Sequence, residues 1–172
     1  LELARHGLRI VERPLSNFLP TEDGRYLKVG PGRTRESLAA FSARDADRLS
    51  AFDASLETQA DLIRSLLLER PPNMTERGWR AALPELWRAL RLGRSVGRLN
   101  RNQRQELLRL FACSAGDYLD DWFESDAIKA VLGFDGIVGH YASPYSPGSA
   151  YVLLHHCFGE VNGRKGVWGH AI

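Results

Sequence analysis

The sequence predicts an α+β fold that is mainly α-helical, with a small antiparallel β-hairpin or sheet near the N-terminus. Three observations predict it. Residues 9–29 hold short β-branched and apolar runs around an Asp-Gly pair. Residues 49–67 repeat apolar side chains at helical spacing. From residue 84 onward, Pro, Ser and Gly signals punctuate further amphipathic stretches. The 172 residues, 44% hydrophobic and 26% charged, suffice for one domain, 1–172, with a buried core.

Leu1 to His6 reads as the last turn of a helix closed by Gly7. The first residue is not Met, and the single Met is Met74. The opening is therefore expected to be cut from a longer chain; the alternative is a natural start whose Met was removed. Leu8–Glu12 is strand-like and ends at Pro14. Phe18–Pro20 and Arg25–Val29 flank Thr21-Glu22-Asp23-Gly24, a hairpin signal, and residues 9–29 are expected to form one small sheet. Three short strands cannot bury two faces alone, so helices of this chain or a sheet outside it must cover them.

From Thr34 the pattern is helical. Ser42 with Asp45 resembles a capping box, with Asp in place of Glu. Leu49, Phe52, Leu56, Ala60, Ile63 and Leu67 then form one stripe, opposite Asp47, Asp53, Glu57, Asp61 and Arg64. Pro71-Pro72 stops the helix. After a polar loop at 71–78, Pro84 fits the first turn of the next helix. Leu83, Leu86, Trp87 and Leu90 share one face, while Leu92, Val96 and Leu99 lie nearly opposite, which predicts a kink or break near Gly93. Further helices are expected at 102–112, after Ser114 with Asp117 as cap, after Ser125, and from Ser149 to Phe158. Residues 140–148, with two Ser-Pro steps, read as a rigid loop, and Gly159–Gly169 as a glycine-rich one.

Four local patterns carry possible chemistry. Gly30-Pro31-Gly32-Arg33-Thr34-Arg35 resembles a truncated dinucleotide fingerprint, but Arg35 stands where the third glycine is needed and the strand before it belongs to a hairpin. Gly93-Arg94-Ser95-Val96-Gly97 matches the nucleophile-elbow pattern without the strand that delivers such a serine, so a hydrolase is disfavoured. His155 and His156 are adjacent, about 100° apart on a helix, and make poor joint metal ligands. They read as a core or pocket-edge pair, and no metal is expected. Cys113 and Cys157 lack CxxC spacing and read as free thiols in a reducing cytoplasm.

Residues 77–109 hold nine arginines (77, 80, 88, 91, 94, 98, 101, 104, 109) against Glu85 and Glu106. Arg91, Arg94, Arg98 and Arg101 fall near one helical stripe, suited to phosphates, an anionic membrane surface or an acidic neighbour. With a net charge of only +2 and few interleaved aromatics, nucleic acid is disfavoured. No apolar run approaches the ~20 residues of a membrane span.

Residues 1–27, LELARHGLRIVERPLSNFLPTEDGRYL, and 143–172, SPYSPGSAYVLLHHCFGEVNGRKGVWGHAI, with ESDAIKAVL at 124–132, resemble the middle of phytoene-dehydrogenase-like FAD oxidoreductases. The branch resembled includes the pyridine-nucleotide-disulfide oxidoreductase domain-containing proteins. The resemblance implies the substrate-side domain of a flavoprotein whose FAD-binding segments lie before and after this chain. It implies hydride transfer from a hydrophobic small-molecule substrate to FAD carried by the flavin domain of the same chain, with no flavin on this piece alone. It further implies a substrate pocket lined by Tyr141, Tyr145 and Tyr151, and an approach to the flavin by Gly166, Trp168 and His170. No catalytic acid, base or nucleophile is implied. The location expected is cytoplasmic, with peripheral membrane contact open. The competing class is a stand-alone helical interaction module that holds an acidic partner or nucleic acid on its arginine face.

Overall fold

The computed structural model describes residues 3–73, 75 and 78–172. Leu1 and Glu2 of the expected opening turn, and Met74, Glu76 and Arg77 of the loop and arginine stretch, lie outside the described residues. The architecture is α+β and mainly helical, as the sequence predicts. Leu3–His6 form one 3-10 turn.

The hairpin forms where the Asp-Gly pair places it. β2 (Asn17–Pro20) and β3 (Tyr26–Val29) pair antiparallel, with Leu19 opposite Leu27. Gly24 adopts φ 83, a conformation that costs an L side chain energy, and so closes the turn. Asp23 holds it: Thr21 Oγ1 donates to its carboxylate at 2.5 Å and Arg25 Nε at 2.7 Å. These donors, Arg25 first, keep its carboxyl well below the ordinary range. α1 (Thr34–Ala39) lies across β3, tied by the Lys28 N–H donating to Ser37 Oγ at 2.8 Å.

The expected single sheet over residues 9–29 does not form. β1 (Ile10–Glu12) pairs instead with β6 (Gly169–Ala171), Val11 opposite His170, so the two ends of the chain meet. Pro14 supplies the reason, since it lacks the N–H a continuing ladder needs. A third two-stranded sheet joins β4 (Glu160–Val161) to β5 (Arg164–Lys165) through Asn162-Gly163, both at positive φ. This Asn-Gly turn is a hairpin signal inside what reads, from sequence, as a glycine-rich loop.

α2 (Ala43–Leu66) is the central helix. Leu49, Phe52, Leu56 and Ala60 are buried along its stripe. The Phe52 ring meets Phe123, Trp122 and Tyr118 at centroid distances of 4.9, 5.5 and 6.4 Å. Burying each such side chain contributes about 1.5–3 kcal/mol. Ser42 caps the helix, accepting from Asp45 N–H at 3.1 Å. Asp45, however, does not close the expected box. Its buried carboxylate accepts from the backbone N–H groups of Glu124 (3.1 Å) and Ser125 (2.8 Å), at the start of α6 (Asp126–Asp135). Ser125 is the N-cap residue by position, yet its own side chain makes no cap bond. A carboxylate eighty residues upstream does that work.

The predicted break near Gly93 is absent. α3 runs unbroken from Trp79 to Gly97, with Pro84 inside it rather than in its first turn. The change of apolar face reflects two different surroundings. Leu92, Val96 and Leu99 turn toward the protein; Leu83, Leu86, Trp87 and Leu90 remain exposed. The inward-facing acid, Glu85, binds Arg70 (2.9 Å), the Asn73 N–H (2.8 Å) and Arg88. The Asn73 N–H and then the two arginines hold its carboxyl below its ordinary value.

α4 (Arg101–Ala112) starts with a reciprocal Asn100/Gln103 capping box, one residue before the predicted bound. α5 (Ala115–Trp122) is capped by Ser114, which accepts from Asp117 N–H at 3.0 Å. The expected 149–158 helix divides into a 3-10 stretch (Ala150–Leu154) and a short α7 (His155–Phe158). Among the described residues, no helix is long and apolar enough to cross a membrane.

Candidate functional site

A cleft of about 700 Å³ opens between α2, the end of α6, α7 and the Gly30–Arg35 loop. Its floor is the core itself: Phe52, Leu56, Ile128, Leu132 and Leu153 contribute to the lining. The helical period of α2 brings Asp53 and Glu57, one turn apart, to the same wall. Asp135 closes α6, and His156 and Cys157 arrive from α7.

Asp135 and His156 make the best-defined polar pair in the cleft. His156 Nδ1 lies 3.1 Å from Asp135 Oδ2. That oxygen is buried and accepts no hydrogen bond, so the pair meets at ion-pair distance without a formed hydrogen bond. Asp53 is reachable by solvent yet crowded by protein. Burial raises its carboxyl above 3.8, against the opposing pull of a charged His156. Cys157 is half-buried, and desolvation pushes its thiol up to about 12, aided by the Glu57 carboxylate. The cleft thus offers an apolar floor, an imidazole beside a buried carboxylate and a thiol held protonated.

Of the residues that the resemblance implies, Gly166 lines this cleft. The Trp168 ring lies tilted against His155, ring centroids 4.8 Å apart, and exposed His170 sits on β6. The three tyrosines do not converge. Tyr141 points into solvent, and Tyr151 stacks on Phe111 at 5.7 Å. Tyr145 borders a separate cleft with Gly116, Asp120 and Lys129, and donates to Asp120 at 3.3 Å. None of them lines the larger cleft. The two adjacent histidines part company, His156 to Asp135 and His155 to Trp168, as residues 100° apart must. Ser95 lies within α3, its hydroxyl donating to the Arg91 carbonyl at 3.2 Å, with no elbow around it.

Asp135 gives no local signal in the sequence except one. An acid in the last turn of a helix opposes the helix dipole, at a cost of about 0.3–1 kcal/mol. His156 is legible only as a pocket-edge histidine, and Asp53 only as part of a polar face.

The Gly30–Thr34 loop is packed and hydrogen-bonded to itself. A Cβ on Gly30 would stand 2.9 Å from the Pro14 carbonyl oxygen and 3.0 Å from Leu15 Cα, so this glycine permits packing of the chain on itself. Thr34 Oγ1 occupies both the N–H and the carbonyl of Gly30, at 3.0 and 3.1 Å. The preceding β3 is antiparallel to β2, and the helix that follows has six residues. A pyrophosphate needs free N–H groups at a helix start behind a parallel strand, and this loop does not provide them.

No family model and no solved structure matches the chain. Curated relatives do, among them two named pyridine nucleotide-disulfide oxidoreductase domain-containing protein 2. The protein from Rattus norvegicus is 30% identical, and that from Mus musculus 31%, each over 99% of this chain. The chain spans 31% of the length of each relative. The likeness supports the oxidoreductase domain-containing branch of the resemblance: essentially the whole of this chain is similar to a third of proteins carrying that name.

Proposed function

We propose that this chain is the substrate side of an FAD-dependent oxidoreductase of the phytoene dehydrogenase or desaturase kind, acting on a hydrophobic substrate. The observation that carries the reading is an apolar cleft in which His156 lies 3.1 Å from the buried Asp135 carboxylate, in a chain similar along 99% of its length to oxidoreductase domain-containing proteins. Flavin, held by other parts of the intact protein, would supply the acceptor for a hydride. This chain's own residues do the rest. Phe52, Leu56, Ile128 and Leu132 bind the apolar body of the substrate and exclude water. Asp135 orients His156, whose Nε2 handles a proton within the cleft. Gly166, Trp168 and His170 form the side that faces the flavin. The location consistent with free thiols is the cytoplasm.

The test is the visible spectrum of the full-length protein. Bound flavin gives bands near about 370 and 450 nm that bleach on reduction. Well-folded full-length protein without them would overturn the reading. If the bands are present, His156→Gln and Asp135→Asn should leave flavin content unchanged while slowing substrate-driven bleaching by about 10²–10⁴-fold.

A further inference from the structure

α3 turns its most apolar face away from the protein. Trp79, Leu83, Leu86, Trp87 and Leu90 are all exposed, the two tryptophans at 69% and 65%. At about 100° per residue they fill one sector roughly 100° wide. Arg80, Arg91, Arg94 and Arg98 occupy the adjoining sector and overlap its edge. Arg80 lies over the Trp79 ring at 5.1 Å. Among the described residues, Arg91, Arg94, Arg98 and Arg101 have no carboxylate within ion-pair distance. The helix's one acid, Glu85, is turned inward and already neutralised. The outer surface is therefore apolar and cationic with no compensating negative charge.

We propose that α3 is an interfacial helix that lies on an anionic lipid surface. Three features favour a bilayer over an acidic protein. The face is one convex helix, with no groove to receive a partner's side chains. Trp87 sits where the apolar and basic sectors meet, the position such a ring takes at a headgroup boundary, and Trp79 lies within the apolar sector. The helix packs extensively against no other element, so the apolar face can sink into a headgroup layer without disturbing the core. It is not long and apolar enough to cross a membrane. The proposal is independent of the enzymatic reading, which concerns a cleft on α2 and α7.

The experiment uses the full-length protein with vesicles of phosphatidylcholine alone and of phosphatidylcholine mixed with phosphatidylglycerol. Cosedimentation should favour the anionic vesicles by at least about tenfold and weaken with added salt. Arg91→Glu/Arg94→Glu/Arg98→Glu should abolish that preference. Leu83→Ser/Trp87→Ser should weaken binding to both vesicle types, with the circular dichroism of both variants unchanged. Equal binding to the two vesicle types, or no effect of either variant, overturns the proposal. So does shielding of Trp79 and Trp87 from acrylamide in lipid-free protein, which would make this face an intramolecular interface. Flavin absorbance of the same samples reports separately on the enzymatic reading.

Discussion

Asp45 shows how much one side chain holds. It is fully buried, and its two oxygens receive the N–H groups that open α6. Asp45→Ala leaves those donors without partners and should cost about 2–4 kcal/mol, read from denaturant midpoints. Asp45→Asn keeps one acceptor oxygen and should cost less. Asp53 carries the opposite sign. Its folded-state value lies above 3.8 because burial disfavours the charge, so the folded protein holds that proton more tightly than the unfolded chain. Stability from this group is therefore lost as pH rises from 3.8 through the folded value. Asp53→Asn should raise Tm at pH 7, with the gain vanishing near pH 3–4; a gain that persists in acid would contradict the assignment. The Cys157 thiol, at about 12, should resist iodoacetamide at pH 8 in the native protein and react after unfolding, as peptide mapping would show.

At the scale of elements, local signals and tertiary context divided the outcome. The β2–β3 hairpin, the Ser42 and Ser114 caps and the stripe of α2 were all legible, because each rests on neighbours within a few residues. β1 was legible as a strand but not in its pairing, since its partner lies about 160 residues away and only Pro14 hinted that the hairpin would not take it. α3 was misread for a physical reason. Two apolar faces imply a break only if both must be buried, and here one is not. The Asp135–His156 pair was invisible because its members come from separate helices. Gly30→Ala tests the reading of the Gly-Pro-Gly loop. Its Cβ would press on Pro14 and Leu15 backbone, so the substitution should lower Tm while leaving flavin content of the full-length protein unchanged.

Across the whole molecule, order should follow packing. α2 and α5 carry the Phe52 cluster, whereas α3 rests on Glu85 and its few inward side chains. Hydrogen exchange on the full-length protein should find the amides of α2 and α5 slowest and those of α3 fastest among these helices. Acid should widen the gap. The Glu85 carboxyl is held below 4.5 in the folded state, so its anchoring is present above that pH and fades as pH falls through the lowered value.

The bond from the Gln59 side chain to the Gln103 carbonyl, 3.0 Å, joins α2 to α4 across everything between them. The described residues between 68 and 98 thus lie on a stretch of chain that leaves the main body at the end of α2 and returns to it at the start of α4. Replacing it with a short glycine-serine bridge, of about 6–8 residues, should leave a truncated protein with the same near-ultraviolet circular dichroism from the Phe52 cluster.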